Sequence, residues 1–439
     1  MHFIENSDRA NIRDRQHRSL LDLLRSTIGR NAFVTGRLES AGLSLERLEQ
    51  LDFETLLAAL PFTTKSDLVT DQAAHPPYGS NLTEDRSKYS RLHQTSGTTT
   101  GMPMRWLDTP ASWKWIMSCW EQLFRIAGLK PDDRLFFPFS FGPFLGFWAG
   151  FEGANRLGNF CLAGGGMTSQ ARLRMMLDND ITIVCATPTY ALRLAETAIS
   201  DGIDLAASSV RMILTAGEPG GSVEETRRRI EAAWGARVCD HWGMTELGPL
   251  AIECEHNPGG MHVLETECIA EIIDPISLQP VVPDVAGVRH GELVITNLGR
   301  VGSPLIRYRT GDLVTTDAEQ CSCGRSLMRL KGGILSRVDD MVIIRGNNVF
   351  PASVEAVLRG FDDIVEYRIE VRTERAMSQM KLVIEPQSEL VGDDAAALRT
   401  RITQTIKDRL NFVPDVELVA PGTLPRFELK GRRFVRVAE

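Results

Sequence analysis

The chain has 439 residues, 43% of them hydrophobic and 24% charged, with a formal net charge of −8. That length predicts two or three domains with ample buried core, and the composition excludes a disordered or fibrous chain. The acidic balance gives no long-range attraction to nucleic acid or to an anionic membrane.

The amino terminus is charged from its first turn and no apolar h-region follows, which predicts no secretory signal and a cytoplasmic protein. The uncharged run from Leu135 to Phe151 carries Pro138, Pro143 and several glycines. It falls short of the ~20 residues a spanning helix needs, and reads as a buried segment lining a cavity. Eight cysteines are too dilute for a disulfide scaffold. In a reducing compartment a close pair such as Cys321 and Cys323 points to metal.

From Arg9 to Leu60 the apolar residues Leu20, Leu21, Leu23, Leu24 and Ile28 recur at helical intervals. Thr64 is placed to cap a further helix. Between about 110 and 240, helix-length segments alternate with short apolar runs at Arg134, Ile181, Val210 and Ala236, which predicts a mostly parallel α/β sheet. From Gly260 to Thr316 the texture changes to short strands and turns, as in an antiparallel, barrel-like segment. After Asp339 the pattern is β, helix, β, β, helix, β, ending at Val416–Leu418. The expected fold class is therefore α/β: a large N-terminal domain over residues 1–338 and a small α+β domain over 339–439.

Gln94-Thr-Ser-Gly-Thr-Thr-Thr-Gly-Met-Pro103 offers hydroxyls and unencumbered backbone N–H groups that suit a polyphosphate. It is not a Walker A loop, because Met102-Pro103 stands where Lys-Ser/Thr would follow the second glycine. By composition alone such a loop is more often a polar surface turn.

Four later segments follow that loop in order: Asp240-His-Trp-Gly-Met-Thr-Glu246, Tyr308-Arg-Thr-Gly-Asp312, Ser336-Arg-Val-Asp-Asp340 and Leu424-Pro-Arg-Phe-Glu-Leu-Lys430. Together they resemble the ordered core motifs of the adenylate-forming superfamily of acyl-CoA ligases. Pro61-Phe-Thr-Thr-Lys-Ser-Asp, Ala216-Gly-Glu-Pro, Asp339-Asp-Met-Val-Ile-Ile-Arg-Gly-Asn-Asn-Val-Phe-Pro351 and the Cys-x-Cys pair resemble its phenylacetate–CoA ligase branch. The resemblance runs from Pro61 to Lys430.

It implies two half-reactions: a carboxylate attacks the α-phosphate of ATP, giving an acyl-adenylate and pyrophosphate, and the thiol of coenzyme A then displaces AMP. It carries β- and γ-phosphate binding to Ser96, Gly97, Thr98 and Thr99. The chain departs there by an additional threonine and by Met102 in place of the usual lysine. Thr245 and Glu246 match the residues that meet the α-phosphate and hold Mg²⁺, and a hard cation prefers such oxygens. Ala216, Gly217, Glu218 and Pro219 match the segment along adenine, and Asp240, His241, Trp242, Gly243 and Met244 the neighbouring wall. Asp312 matches a ribose acceptor and Arg337 a ribose- and phosphate-side cation, although an Arg–Asp pair is also the ordinary furniture of a surface. Lys430, preceded by Leu429 instead of the family's glycine, matches the lysine that serves adenylation. Asp339 matches the hinge about which the small domain turns.

Cys321 and Cys323 supply two soft ligands, and the branch's upstream Cys and Gly-x-His element select Cys254 and His262 as the others, with His256 as substitute. The resemblance thus implies a structural Zn²⁺ site, with four reduced, unligated side chains as the alternative. The aromatic run from Phe136 to Trp148 implies an aromatic acid such as a phenylacetate, benzoate, anthranilate or hydroxybenzoate. Ser140, Phe141, Gly142, Phe144 and His241 are its pocket candidates; a plain core would read the same way. Two alternatives stay open: transfer to a carrier protein's phosphopantetheine or to an amine, and a non-catalytic nucleotide sensor. A homodimer is one option for the assembly.

Overall fold

The computed structural model describes residues 3–95, 103–344, 347–374, 377–427 and 433–437, with backbone alone at 343, 347, 348, 373, 374, 377 and 378. Ser96, Gly97, Thr98, Thr99, Met102 and Lys430 lie outside the described residues.

The chain opens with helices. α1 (Arg9–Thr27) starts at Asp8, whose side chain accepts from the Asn11 N–H. Its buried stripe of Ile12, Leu20, Leu23 and Leu24 follows the predicted period. α2 (Ala32–Ser40), α3 (Leu45–Leu48) and α4 (Phe53–Ala59) complete a helical layer. Its leucines pack on Ile269 from the sheet and on Leu298 and Ile306 from the loop between residues 297 and 308. α5 (Lys65–Ala74) begins at Thr64 with a reciprocal capping box to Asp67. A short antiparallel hairpin, β1 (Arg91–Gln94) and β2 (Arg105–Asp108), pairs Gln94 with Arg105 and so brackets the threonine-rich segment.

α6 (Pro110–Ala127) has Thr109 as cap, proline in its first turn and Gly128 in the left-handed region at its end. There follow β3 (Arg134–Phe137), α7 (Gly146–Arg156), β4 (Phe160–Ala163), α8 (Ser169–Asp178), β5 (Ile183–Ala186), α9 (Pro188–Ser200), β6 (Met212–Thr215), α10 (Glu224–Trp234) and β7 (Arg237–Met244). The strands pair in parallel in the order β4-β3-β5-β6-β7. β5 and β6 are buried at every residue, as a sheet covered on both faces requires. β4 escaped the sequence reading because it is an edge strand, only partly buried and flanked by glycines.

β7 is the seam. It pairs in parallel with β6 and antiparallel with β8 (Gly248–Glu253). From there the sheet runs on through β9 (Gly260–Val263), β10 (Cys268–Ile273), β11 (His290–Asn297), β12 (Tyr308–Thr316) and β13 (Arg329–Arg337), in the spatial order β10-β11-β12-β13-β9-β8. The antiparallel texture thus begins one strand before Gly260.

The remaining residues form a separate four-stranded sheet with its own core. β14 (Val342–Ile344) and β15 (Asn347–Val349) make a hairpin, then come α11 (Pro351–Arg359), β16 (Ile364–Glu374), β17 (Met377–Pro386), α12 (Gly392–Leu410), β18 (Asp415–Leu418) and β19 (Phe434–Val437). The sheet order is β18-β17-β16-β19. Val354, Leu358, Ile369, Leu382, Leu398, Ile402 and Ile406 fill this core without drawing on the large domain. β19 was not expected. Its four residues follow a run of charge, and it forms because it pairs in parallel with β16. No helix among the described residues is long and apolar enough to cross a membrane.

Candidate active site

In open α/β sheets ligands bind beyond the carboxyl ends of the parallel strands, where the topology switches. The order reverses at β3, between β4 and β5, and the loops after β6 and β7 lie along the same carboxyl edge. β6 runs straight into Ala216–Pro219, where Gly217 takes φ of +93°. At Gly221 an added Cβ would stand 2.2 Å from Thr215 Oγ1 and 2.3 Å from Asp240 Oδ1, so only glycine lets the loop close over β7. Glu218 turns back to accept the Thr189 N–H at 2.8 Å. Asp240 accepts from Thr215 Oγ1 at 2.9 Å and Ser222 Oγ at 2.6 Å. Burial, reinforced by the charge of Glu253, pushes its carboxyl up to about 7.

Past Met244 the chain turns through Thr245 and Glu246 into β8. Glu246 is buried, and its Oε1 accepts from Tyr308 Oη at 2.9 Å. Asp312, on β12, accepts from Trp242 Nε1 and from Arg337 Nη1, each at 2.9 Å. Arg337 extends its other arm to Asp339 at 3.1 Å. Burial works against the Arg337 charge, but Asp312 and Asp339 outweigh it and hold the guanidinium firmly protonated. The structure therefore brings Thr245, Glu246, Trp242, Asp312, Arg337 and Asp339 into one connected patch.

Arg300 and Asp108 belong to this patch and were missed in the sequence. Arg300 is fully buried and forks onto both carboxylate oxygens of Asp108, at 2.8 and 2.6 Å. Its third contact goes to the Thr245 carbonyl at 2.6 Å. Burial would raise the Asp108 carboxyl, yet Arg300 and His93 hold it below the usual carboxylate range. The stem of the β1–β2 hairpin is thereby tied to the Thr245–Glu246 turn. No local signal marks such a pair, because its members lie 192 positions apart.

Beside the end of β3 the rings of Phe137, Phe139, Phe141, Phe147 and Phe151 pack mostly edge to face, with centroids 5.2–6.3 Å apart, and Trp148 lies 4.9 Å from Phe141. The loop above them is held by the Gln94 N–H donating to the Pro143 carbonyl at 2.6 Å. Ser140 Oγ accepts from the Gly166 N–H at 3.2 Å. Phe144 lies away from the ring cluster, 46% exposed, against Gly142. His241 sits 4.5 Å from Trp120, with Nδ1 2.8 Å from the Ala251 carbonyl. Burial lowers its pKa to about 4, so the ring is neutral, Nδ1 is the donor and Nε2 an acceptor.

Away from this patch, Cys254, His262, Cys321 and Cys323 come together from β8, β9 and the β12–β13 loop, with ligand atoms all within 4.8 Å of one another. Cys254 Sγ and Cys321 Sγ are 3.6 Å apart, and Cys323 Sγ is 3.4 Å from His262 Nε2. A tetrahedral zinc would set those separations at ~3.8 and ~3.6 Å from ordinary Zn–S and Zn–N lengths. The donor set fits the ion. His256, the substitute, is outside this quartet; its carbonyl accepts from Ser322 of the loop at 3.4 Å.

The family described as AMP-binding enzyme matches residues 49–299, and the AMP-binding enzyme C-terminal domain matches residues 346–436. A phenylacetate-coenzyme A ligase of Thermus thermophilus is 31% identical over 99% of this chain and 98% of its own length. A 2-hydroxyisobutyryl-CoA ligase in the postadenylation state with 2-HIB-AMP superposes with a TM-score of 0.90 at 28% identity, covering 98% of this chain and 91% of that one. The same ligase with 2-HIB-AMP and CoA in the thioesterification state gives 0.73 at 29% identity over equal shares. The chain thus superposes more completely on the postadenylation form of that relative than on its thioesterification form.

Proposed function

The chain belongs to the AMP-binding enzyme family as an AMP-forming acid–thiol ligase, which activates an acid as its adenylate and passes the acyl group to coenzyme A, and we propose that its acid is an aromatic carboxylate. The observation that carries this reading is the ring cluster of Phe137, Phe139, Phe141, Phe147 and Phe151 beside the carboxyl ends of the parallel strands. Such a wall suits the flat apolar body of a phenylacetate or benzoate. The neutral His241, with Nε2 as acceptor, favours an acid carrying a hydroxyl or amino donor, as in hydroxybenzoate or anthranilate.

In this reading the first half-reaction brings a carboxylate against a triphosphate, and the site must offset their repulsion. Ser96, Gly97, Thr98 and Thr99 hold the β- and γ-phosphates. Ala216–Pro219 and the strand from Asp240 to Met244 flank adenine, Asp312 accepts the ribose hydroxyls, and Arg337 stands on the ribose side. Thr245 addresses the α-phosphate. Glu246, a buried carboxylate oriented by Tyr308, would hold magnesium, and the ion would supply positive charge to the phosphates. Lys430 bridges the carboxylate and the α-phosphate during adenylation. The domain over 339–439 then turns about Asp339 relative to residues 1–338 and opens the path for the thiol. Zinc at the Cys254, His262, Cys321 and Cys323 quartet is structural, since four protein ligands leave no open position. The described cysteines are free, which suits a cytoplasmic setting.

A second reading has one supporting observation: the ligase that superposes at 0.90 carries 2-HIB-AMP, whose acyl group is aliphatic. Acid-dependent exchange of labelled pyrophosphate into ATP separates the two. Phenylacetate, benzoate, anthranilate and hydroxybenzoate are expected to outpace 2-hydroxyisobutyrate, and the reverse order would overturn the aromatic assignment. The same assay followed by acceptor competition distinguishes coenzyme A from a phosphopantetheinyl carrier protein or an amine.

A further inference from the structure

Arg433 is the first described residue after Lys430 in sequence, and it is held tightly within the small domain. Nε and Nη2 fork onto Glu366 at 2.6 and 2.9 Å. Its carbonyl accepts from the Ile369 N–H at 2.6 Å. Its guanidinium carbon lies 5.4 Å from the Tyr367 ring and 5.5 Å from the Phe427 ring. Its remaining arm, Nη1, leaves the small domain altogether and donates to Thr189 Oγ1 at 2.9 Å.

Thr189 is not an arbitrary point of contact. It stands in the first turn of α9, and its N–H donates to Glu218, within the loop after β6. That loop is pressed against the same turn: a Cβ added at Gly220 would come within 2.7 Å of Pro188. One residue thus joins the nucleotide-side loop to the small domain, with its backbone facing the first and its hydroxyl the second.

Among the described residues, the other charged contacts at this boundary are weak or of mixed sign. Arg228 and Asp362 are 3.7 Å apart with both side chains more than half exposed, a contact of small worth in water. α10 meets α11 with Arg229 facing both the like charge of Arg359 and the opposite charge of Asp362. At the hinge, Arg436 donates to the Asp339 carbonyl at 2.9 Å, so β19 touches both the pivot and the far side of the joint.

We propose that Thr189 and Arg433 form an interdomain latch that holds the small domain in the orientation it must leave before thiol transfer, making Thr189 a positioning residue for the first half-reaction. The proposal rests on the reading of Asp339 as the hinge. Rotation about Asp339 must break the Nη1–Oγ1 hydrogen bond, while the Glu366 fork travels with the small domain. A charge-assisted hydrogen bond across the boundary is enough to bias a two-state equilibrium without locking it.

Thr189→Val removes the hydroxyl acceptor and keeps the backbone contact to Glu218; Thr189→Ser restores the acceptor. Two rates are measured for each protein: pyrophosphate–ATP exchange with the fastest acid of the panel above, and coenzyme A-dependent consumption of that acid's chemically prepared adenylate. Thr189→Val is expected to lower the ratio of the first rate to the second about tenfold (~1.4 kcal/mol), and Thr189→Ser to return it to the wild-type value. An unchanged ratio, or both rates falling together, overturns the latch. Wild-type protein that exchanges pyrophosphate with none of the acids removes the ligase reading itself and the latch with it, a result distinct from an unchanged ratio.

Discussion

Trp242 and Asp312 face each other across the site, with the indole Nε1 donating to Oδ2 at 2.9 Å while Arg337 holds Oδ1. The carboxylate is buried and fixed in plane by two donors from different strands. A carboxylate oxygen accepts more than one hydrogen bond, so the same two oxygens can also take ribose hydroxyls. Asp312→Asn keeps the shape, but places an amide N–H against one of two existing donors. The KM for ATP in pyrophosphate exchange is expected to rise at least about tenfold, the scale of a lost charged hydrogen bond. Trp242→Phe, which deletes one donor, should shift it less. An unaltered KM for ATP in Asp312→Asn would remove Asp312 from the nucleotide site.

Arg300 supports the same site from below, through Asp108 and the Thr245 carbonyl. Arg300→Met leaves the Asp108 carboxylate buried without its cation, a change that costs about 3–5 kcal/mol of stability. Arg300→Lys retains the charge but cannot fork. Its stability loss should be smaller, while kcat for adenylation falls about tenfold because the Thr245–Glu246 turn is less well held. Denaturant melts and exchange kinetics on the two variants check this. Full activity in Arg300→Lys would show that charge alone, without the fork, suffices.

Asp240 and His241 are neighbours whose linkage to pH runs in opposite senses. Between about 4 and 6.5 the unfolded chain protonates His241 and the folded one does not, so stability from this group is present above that window and lost as pH falls through it. Between 3.8 and about 7 the folded chain holds the Asp240 proton and the unfolded one has released it, so that contribution is lost as pH rises. The two slopes largely cancel in the wild type. Asp240→Asn, which mimics the protonated acid, should stabilise the protein at pH 8, with an upper bound of roughly 4 kcal/mol from the shift from 3.8 to about 7. At pH 4 the gain should vanish. Thermal unfolding at the two pH values measures it, and an equal effect at both would show that Asp240 is already ionised in the fold.

Local chemistry was legible in the sequence, and long-range pairing was not. The Thr64 cap and the stripe of α1 are written within a few residues, and each forms as read. The Cys-x-Cys turn is equally local, and the quartet completed by resemblance, Cys254 with His262, is the one the fold gathers. Arg300 with Asp108, Tyr308 with Glu246, and Arg433 with Thr189 have no such signature, since each is made by strands or domains that meet only after folding. β19 was hidden for the same reason: only pairing with β16 turns its few residues into a strand. In the aromatic run, composition could not tell Phe141, packed among rings, from Phe144, which faces outward.

The cysteine quartet makes a prediction independent of catalysis. Protein purified without added zinc is expected to carry about one equivalent, and Cys321→Ser to lose it. Because the ion would clip β8 and β9 to the β12–β13 loop, its removal should lower the melting temperature by several degrees while leaving the distant small-domain core intact. Thiol titration under native conditions should find Cys254, Cys321 and Cys323 protected until a chelator is added. Metal content well below one equivalent would leave the four as an unligated cluster.

Lys430 carries the sharpest consequence of the two-step reading. Its ammonium is asked to act only while carboxylate and α-phosphate approach each other, and to be absent when the thiol arrives. A group used in one half-reaction should leave the other untouched on removal. Lys430→Ala is therefore expected to slow pyrophosphate exchange about 10²–10³-fold, the scale of losing one preorganised electrostatic partner. Coenzyme A-dependent consumption of a supplied acyl-adenylate should stay within a few-fold of wild type. Equal loss of both activities would assign the lysine a structural role, because a fold defect does not discriminate between steps that share one cavity.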